Sequence, residues 1–165
     1  SAAEKDDIDR AAAVTPIRSF IEDHKGSDIA TTAKLALGAA LLDAGDFEGA
    51  IAAFQEFIQA HPTSGLALVA WEALGEAADR AGKPAEAEAA FGKLVESPQP
   101  LYRIHGYLHL GDLVHPAIAK EGGDPAKARE LYEKGLAEIV GDDDGLPAAH
   151  LVARKALQAR LSTLP

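Results

Sequence analysis

The chain has 165 residues, 47% of them apolar but only 5% aromatic, and a formal charge of −10. It contains no cysteine, which excludes disulfides, thiolate catalysis and cysteine-based zinc sites. The negative charge argues against nucleic acid and against an electrostatic hold on anionic lipid, since both need a basic face. A neutral or basic protein partner suits it better, although the same charge would also keep an alanine-rich surface in solution. No stretch approaches the roughly eighteen uncharged apolar residues that a membrane span needs. Abundant alanine and leucine with few β-branched residues favour helices that pack closely on small side chains.

The first predicted helix covers residues 8–24, with Val14, Ile17, Phe20 and Ile21 on one face and Pro16 expected to kink or delay it. Lys25-Gly26-Ser27-Asp28 is a stop followed by a fresh N-cap signal. A second helix over 29–44 carries Leu35, Leu37, Leu41 and Leu42. Gly45-Asp46 closes it and opens a third, in which Ala50, Phe54 and Phe57 form a stripe. His61-Pro62 ends that helix, because proline cannot continue it. A fourth helix over 66–81 is built around Trp71, Leu74 and Ala78. After Gly82-Lys83-Pro84 comes a fifth with Ala87, Phe91 and Leu94 inward, stopped by Ser97-Pro98-Gln99-Pro100. The sixth starts near Leu101 and turns Tyr107, Leu110 and Val114 inward. Gly122-Gly123-Asp124-Pro125 separates it from a seventh that bears Ala128, Tyr132 and Leu136. An acidic loop, Gly141-Asp142-Asp143-Asp144-Gly145, precedes a closing helix over 147–161 with Leu151, Leu157 and Leu161 on one side. No strand is predicted, so the fold class is all-α.

The chain also repeats itself. Phe20-Ile21-Glu22-Asp23-His24 returns 37 residues later as Phe57-Ile58-Gln59-Ala60-His61. Leu37-Gly38 returns as Leu74-Gly75 and once more as Leu110-Gly111. A period of this length marks a stack of similar units, each completing its core with its neighbours.

Trp71, Leu74, Gly75, Ala78, Ala87 and Phe91 resemble the tetratricopeptide repeat pattern W-x2-L-G-x2-Y, A-x3-F, with alanine in place of tyrosine. Leu37, Gly38, Leu41, Ala50, Phe54 and Pro62 match it one repeat earlier. Tyr107, Leu110, Gly111, Ala128 and Tyr132 match one repeat later, with about five extra residues between the helices (expected to lengthen the first helix or its turn). The resemblance implies a tetratricopeptide-type α-solenoid of about eight helices in a single domain, 1–165. Its parts are a leading half-repeat (1–28), repeats at 29–64, 65–100 and 101–141, and an acidic loop with a capping helix (142–165). Unless something covers it, the opening helix would expose Val14, Ile17 and Ile21, which invites homodimerisation or fraying.

In such stacks the first helix of each pair lines a concave groove. The register places Thr32, Leu35, Ala39, Leu42 and Asp43 there from the first repeat. The second contributes Val69, Glu72, Glu76, Asp79 and Arg80, and the third His105, Leu108, His109 and Asp112. Glu72, Glu76 and Asp79 share one helical face, so an acidic groove for a protein or peptide is expected. The chaperone-binding members of the family clamp a C-terminal carboxylate with lysine, arginine and asparagine, and those residues are missing here. A metal- or pH-responsive site is the rival reading. His105, His109 and Asp112, at i, i+4 and i+7, share a face, with His115 a turn further. No catalytic signature is present, whether G-x-S-x-G, a phosphate-cradling glycine loop or H-E-x-x-H. Neither a catalytic site nor a cofactor is expected.

A narrower resemblance is to the YfgM family, bacterial inner-membrane proteins that accompany the SecYEG translocon. It rests on the opening helix before Lys25-Gly26-Ser27, the helix with Leu35-Ala36-Leu37-Gly38, the turn Gly123-Asp124-Pro125-Ala126-Lys127-Ala128-Arg129, and the closing Ala153-Arg154-Lys155-Ala156-Leu157-Gln158-Ala159-Arg160-Leu161. It implies a periplasmic interaction domain at the inner membrane, contacting chaperones or emerging clients. A membrane anchor is then expected upstream of Ser1. A cytoplasmic adaptor is the alternative.

Overall fold

The computed structural model describes the backbone of residues 2–120 and 122–165, and the side chains of 12–120 and 122–165. Among the described residues there are eight α-helices, one short 3₁₀ turn at Asp143–Gly145 and no strand. The helices are α1 (Ala2–Asp23), α2 (Asp28–Asp43), α3 (Phe47–Ala60), α4 (Ala67–Arg80), α5 (Pro84–Val95), α6 (Pro100–Val114), α7 (Pro125–Ala137) and α8 (Ala148–Ser162). They divide into two compact units, 1–83 and 84–165.

The starts of α2, α3 and α7 fall where capping chemistry puts them. Ser27 Oγ accepts from the Ala30 amide at 3.2 Å, and Asp46 Oδ1 accepts from the Gly49 amide at 3.0 Å. Asp124 accepts from the amides of Ala126 and Lys127, each at 3.0 Å, with Pro125 in the first helical position. The 37-residue period holds in the backbone as well. Gly45 and Gly82 both take a left-handed φ, 80° and 76°. After each, the next amide reaches back to the helix, Asp46 to Leu41 O and Lys83 to Ala78 O, both at 2.9 Å. This is the Schellman closure that glycine accommodates without strain.

In the first unit α2 packs against α1 and α3, and α4 packs against α3 and touches α2. Phe54 is 1% exposed. Its ring fills the space beside Gly38, where a Cβ would lie 2.5 Å from the ring. This pair explains why small and large residues alternate in the repeat. The recurring Phe-x-x-x-His is a ring pair at a helix end, Phe20 with His24 at 4.2 Å and Phe57 with His61 at 5.1 Å between centroids. It also brings two corrections. Phe20 faces outward at 37% exposure, stacked on His24, while Val14, Ile17 and Ile21 are half-buried. Pro16 lies inside α1, which already starts at Ala2, so it does not delay the helix. α1 lies along α2, which covers its apolar face in part.

In the second unit α6 packs against α5 and α7, and α8 packs against both α6 and α7. The core gathers Ile104, Ala128, Tyr132, Ile139, Ala153, Leu157 and Leu164, with Leu108, Val114, Leu136 and Leu161 against it. Tyr107 and Leu110 are only half-buried, and Ile104 takes the fully buried place on α6 instead. The extra residues of the third repeat leave α6 unlengthened and form the connection 115–124, whose ends are tied by Asp124 N–H to Val114 O at 2.8 Å.

Arg103 Nη2 donates to Glu138 Oε2 at 2.6 Å, tying α6 to the end of α7. That hydrogen bond holds the Glu138 carboxyl below its ordinary 4.5. A carboxyl depressed in the folded state stabilises the protein above its unfolded pKa, and the contribution disappears as pH falls through the folded value. Glu138→Gln is therefore expected to flatten the acid limb of stability below about pH 4.5, seen by urea unfolding across pH.

Candidate functional site

The groove positions of the first two repeats lie on α2 and α4, within the first unit. On α2, Thr32, Ala39 and Asp43 are exposed and Leu35 is half-buried. The Thr32 hydroxyl donates back to Asp28 O at 3.0 Å, which keeps it close to its own helix. Leu42 is 8% exposed, so it belongs to the core rather than to an accessible surface. On α4, Val69 and Glu76 are exposed, while Glu72 and Asp79 are half-buried. Arg80 stands 3.6 Å from Glu76 and over the Phe47 ring at 4.8 Å. This guanidinium is thus held by a carboxylate and an aromatic face.

Two exposed residues missed by the register reading sharpen the picture. Ile29, at 55% exposure, and Leu66, at 45%, occupy equivalent positions one period apart at the starts of α2 and α4. With Val69 they supply apolar surface at the amino ends of these helices, while Asp43, Glu76 and Asp79 lie toward the carboxyl ends. Their signal was the repeat itself, since Ile29 and Leu66 are 37 residues apart. A carboxylate in a last turn faces the negative end of the helix dipole. The last turn of α2 has no basic residue to offset Asp43.

The third repeat distributes its candidates differently. The His109 ring stacks on Phe91 of α5 at 4.5 Å with planes 10° apart, and Leu108 packs against the core. Asp112 accepts from the Tyr132 hydroxyl at 2.7 Å and from Arg160 Nε and Nη2 at 2.8 and 3.2 Å. These partners make it a structural carboxylate that joins α6, α7 and α8. His105 is half-buried on α6.

His115 corrects the expected one-face arrangement. The helix ends at Val114, and His115 is its extended cap (φ −72°, ψ 127°) because Pro116 follows. It is 1% exposed. Its Nδ1 accepts from the Ala117 amide at 3.1 Å, so in the neutral ring Nε2 carries the hydrogen that faces Thr163 Oγ1 at 3.1 Å. Among the described residues no group of three or more histidines and carboxylates is placed to hold a metal. Nor is any described helix long and apolar enough to cross a membrane.

Comparison with known families decides the lineage. The tetratricopeptide repeat model matches residues 1–65 and again 35–102, well over half the chain. The chain belongs to the tetratricopeptide repeat family. No curated protein matches it. The fold class is accordingly the all-α tetratricopeptide-type solenoid, and the broad role is that of a protein–protein interaction scaffold. Tetratricopeptide repeats generally bind proteins or peptides and are generally non-catalytic. The matched stretch takes in α1 to α5, including the α2 and α4 surface.

Proposed function

We propose that this tetratricopeptide domain recruits a basic, amphipathic segment of another protein through the outward surface of α2 and α4. The observation that carries the reading is the division of that surface along the helices. Ile29, Leu66 and Val69 offer apolar contact at one end, and Asp43, Glu76 and Asp79 offer negative charge at the other. A segment with apolar anchors beside lysine or arginine meets both ends, and its cations relieve carboxylates set against negative helix ends. No chemistry is required of the site.

The setting we infer is the periplasmic face of a bacterial inner membrane, with translocon-associated clients or chaperones as partners. The support is the resemblance to the YfgM family in the Leu35-Ala36-Leu37-Gly38 helix, the Gly123-Asp124-Pro125 turn and the closing helix.

The test is binding of a synthetic lysine–leucine amphipathic peptide, read by fluorescence anisotropy, alongside a crosslinked pulldown from fractionated envelope. Glu72→Lys with Glu76→Lys is expected to weaken peptide binding by about tenfold, a change of about 1.4 kcal/mol. The loss should shrink as salt rises. Equal binding by both proteins would move the site off this surface. Recovery of cytoplasmic partners alone would overturn the envelope assignment.

A further inference from the structure

The other side of α2 carries a second, oppositely charged surface. Lys34, Leu37 and Leu41 lie about half a helical turn from Thr32, Leu35 and Ala39, so they face away from the acidic surface. There α1 and α3 stand apart over α2 and leave a cleft of about 580 Å³, within the range of pockets that accommodate ligands. Its base is apolar, with Leu37, Leu41 and Ala30 from α2, and Ile21 lines it from α1. Its charged lining is Arg18 and Glu22 from α1, Lys25 from the turn that follows α1, Lys34 from α2 and Glu56 from α3.

Three cations and two carboxylates leave this lining net positive, in a chain whose formal charge is −10. The pairings decide which cations are available. Lys34 is engaged with Glu56 across α2 and α3. Lys25 stands 3.5 Å from Glu22 with both side chains at least 70% exposed, a pairing that solvent screens and that a new carboxylate can displace. Arg18 is exposed and has no ion-pair partner among the described residues. Its planar guanidinium is suited to take a carboxylate in two parallel hydrogen bonds.

The geometry points to a docking site for an acidic–apolar segment of a partner protein in the cleft between α1 and α3. Aspartate or glutamate side chains of that segment meet Arg18 and Lys25, while an adjacent apolar side chain enters over Leu37 and Leu41. This site is independent of the acidic surface of α2 and α4. The unit would then hold two partner segments of opposite charge on opposite sides of one helix.

The probe is a short peptide alternating aspartate and leucine, acetylated, amidated and fluorescein-labelled, titrated into the whole domain. Saturable binding is expected, weakened about tenfold or more by Arg18→Glu with Lys25→Glu and unchanged by Glu72→Lys with Glu76→Lys. Arg18 and Lys25 are both exposed, and an unchanged circular dichroism melt would confirm that the fold is kept. Methyl chemical shifts of Leu37 and Leu41 are expected to move on addition of the probe. No saturable binding at millimolar peptide, or equal binding by the Arg18→Glu, Lys25→Glu protein, would overturn the proposal. Binding only to the version with a free terminal carboxylate would overturn the side-chain assignment. Dimerisation in sedimentation that the same substitutions abolish would make a second copy the occupant and overturn the partner assignment.

Discussion

Phe54→Ala is expected to lower the unfolding free energy by about 3–5 kcal/mol. The ring is 1% exposed, so its truncation loses both the transfer free energy and the contacts of a filled cavity. Its partner makes the prediction sharper. A Cβ on Gly38 would lie 2.5 Å from the Phe54 ring, and a buried ring held by its neighbours has little room to yield. Gly38→Ala alone should therefore destabilise by about 1–3 kcal/mol, even though alanine in a helix interior is favoured over glycine by about 1 kcal/mol. With Phe54→Ala already present the clash is gone and only the helical preference remains. Gly38→Ala should then be neutral or stabilising. Urea unfolding of the two single variants and the double variant tests this reversal of sign. Additive losses would show that the two residues do not share one space.

That pair also shows what the amino-acid sequence discloses. Repeats advertise their local chemistry: Ser27, Asp46 and Asp124 are capping residues by type and place, and Gly45 and Gly82 are closures by type and period. Gly38 beside Phe54 and Gly111 beside Tyr132 follow from the repeat pattern, because a close helix approach needs a residue without a side chain opposite a large one. Contacts between distant segments are less accessible. The pairing of Asp112 with Arg160 spans 48 residues, and no periodicity connects them. Ile104, Ile139 and Leu164 are buried in one cluster with Ala153 and Leu157 of α8, a matter of docking rather than pattern. Phe20 sits on an apolar stripe, yet lies outward, stacked on its own His24. His115 was within reach, since a proline follows it. Spacing alone put it on the helix, whereas the His115-Pro116 bond takes it off. The cleft over Leu37 and Leu41 depends on how far α1 stands from α3, which no single helix records.

The largest polar effect is expected at Asp112. Asp112→Ala should destabilise by about 2–3 kcal/mol, most of it through Tyr132. The Tyr132 side chain is fully buried, and its hydroxyl donates to Asp112 at 2.7 Å. Removing the acceptor strands a buried donor. Arg160 adds less, because its side chain is 40% exposed and water can replace the lost carboxylate. Tyr132→Phe removes the donor itself and leaves Asp112 paired with Arg160, so about 1 kcal/mol is expected there. The network also leaves a signature in alkali. Burial, then the hydrogen bond to Asp112, raises the Tyr132 phenol well above its ordinary 10. A group raised in the folded state contributes fully below its unfolded pKa and loses that contribution as pH rises through the folded value. Stability should accordingly fall above about pH 10, with Tyr132→Phe flattening that limb. In an ultraviolet titration of the three tyrosines, one phenol should stay protonated until the second unit unfolds, and Tyr132→Phe should remove it. Three phenols ionising together in the folded protein would mean that Asp112 does not hold Tyr132, and would leave Arg160 as the partner of that carboxylate.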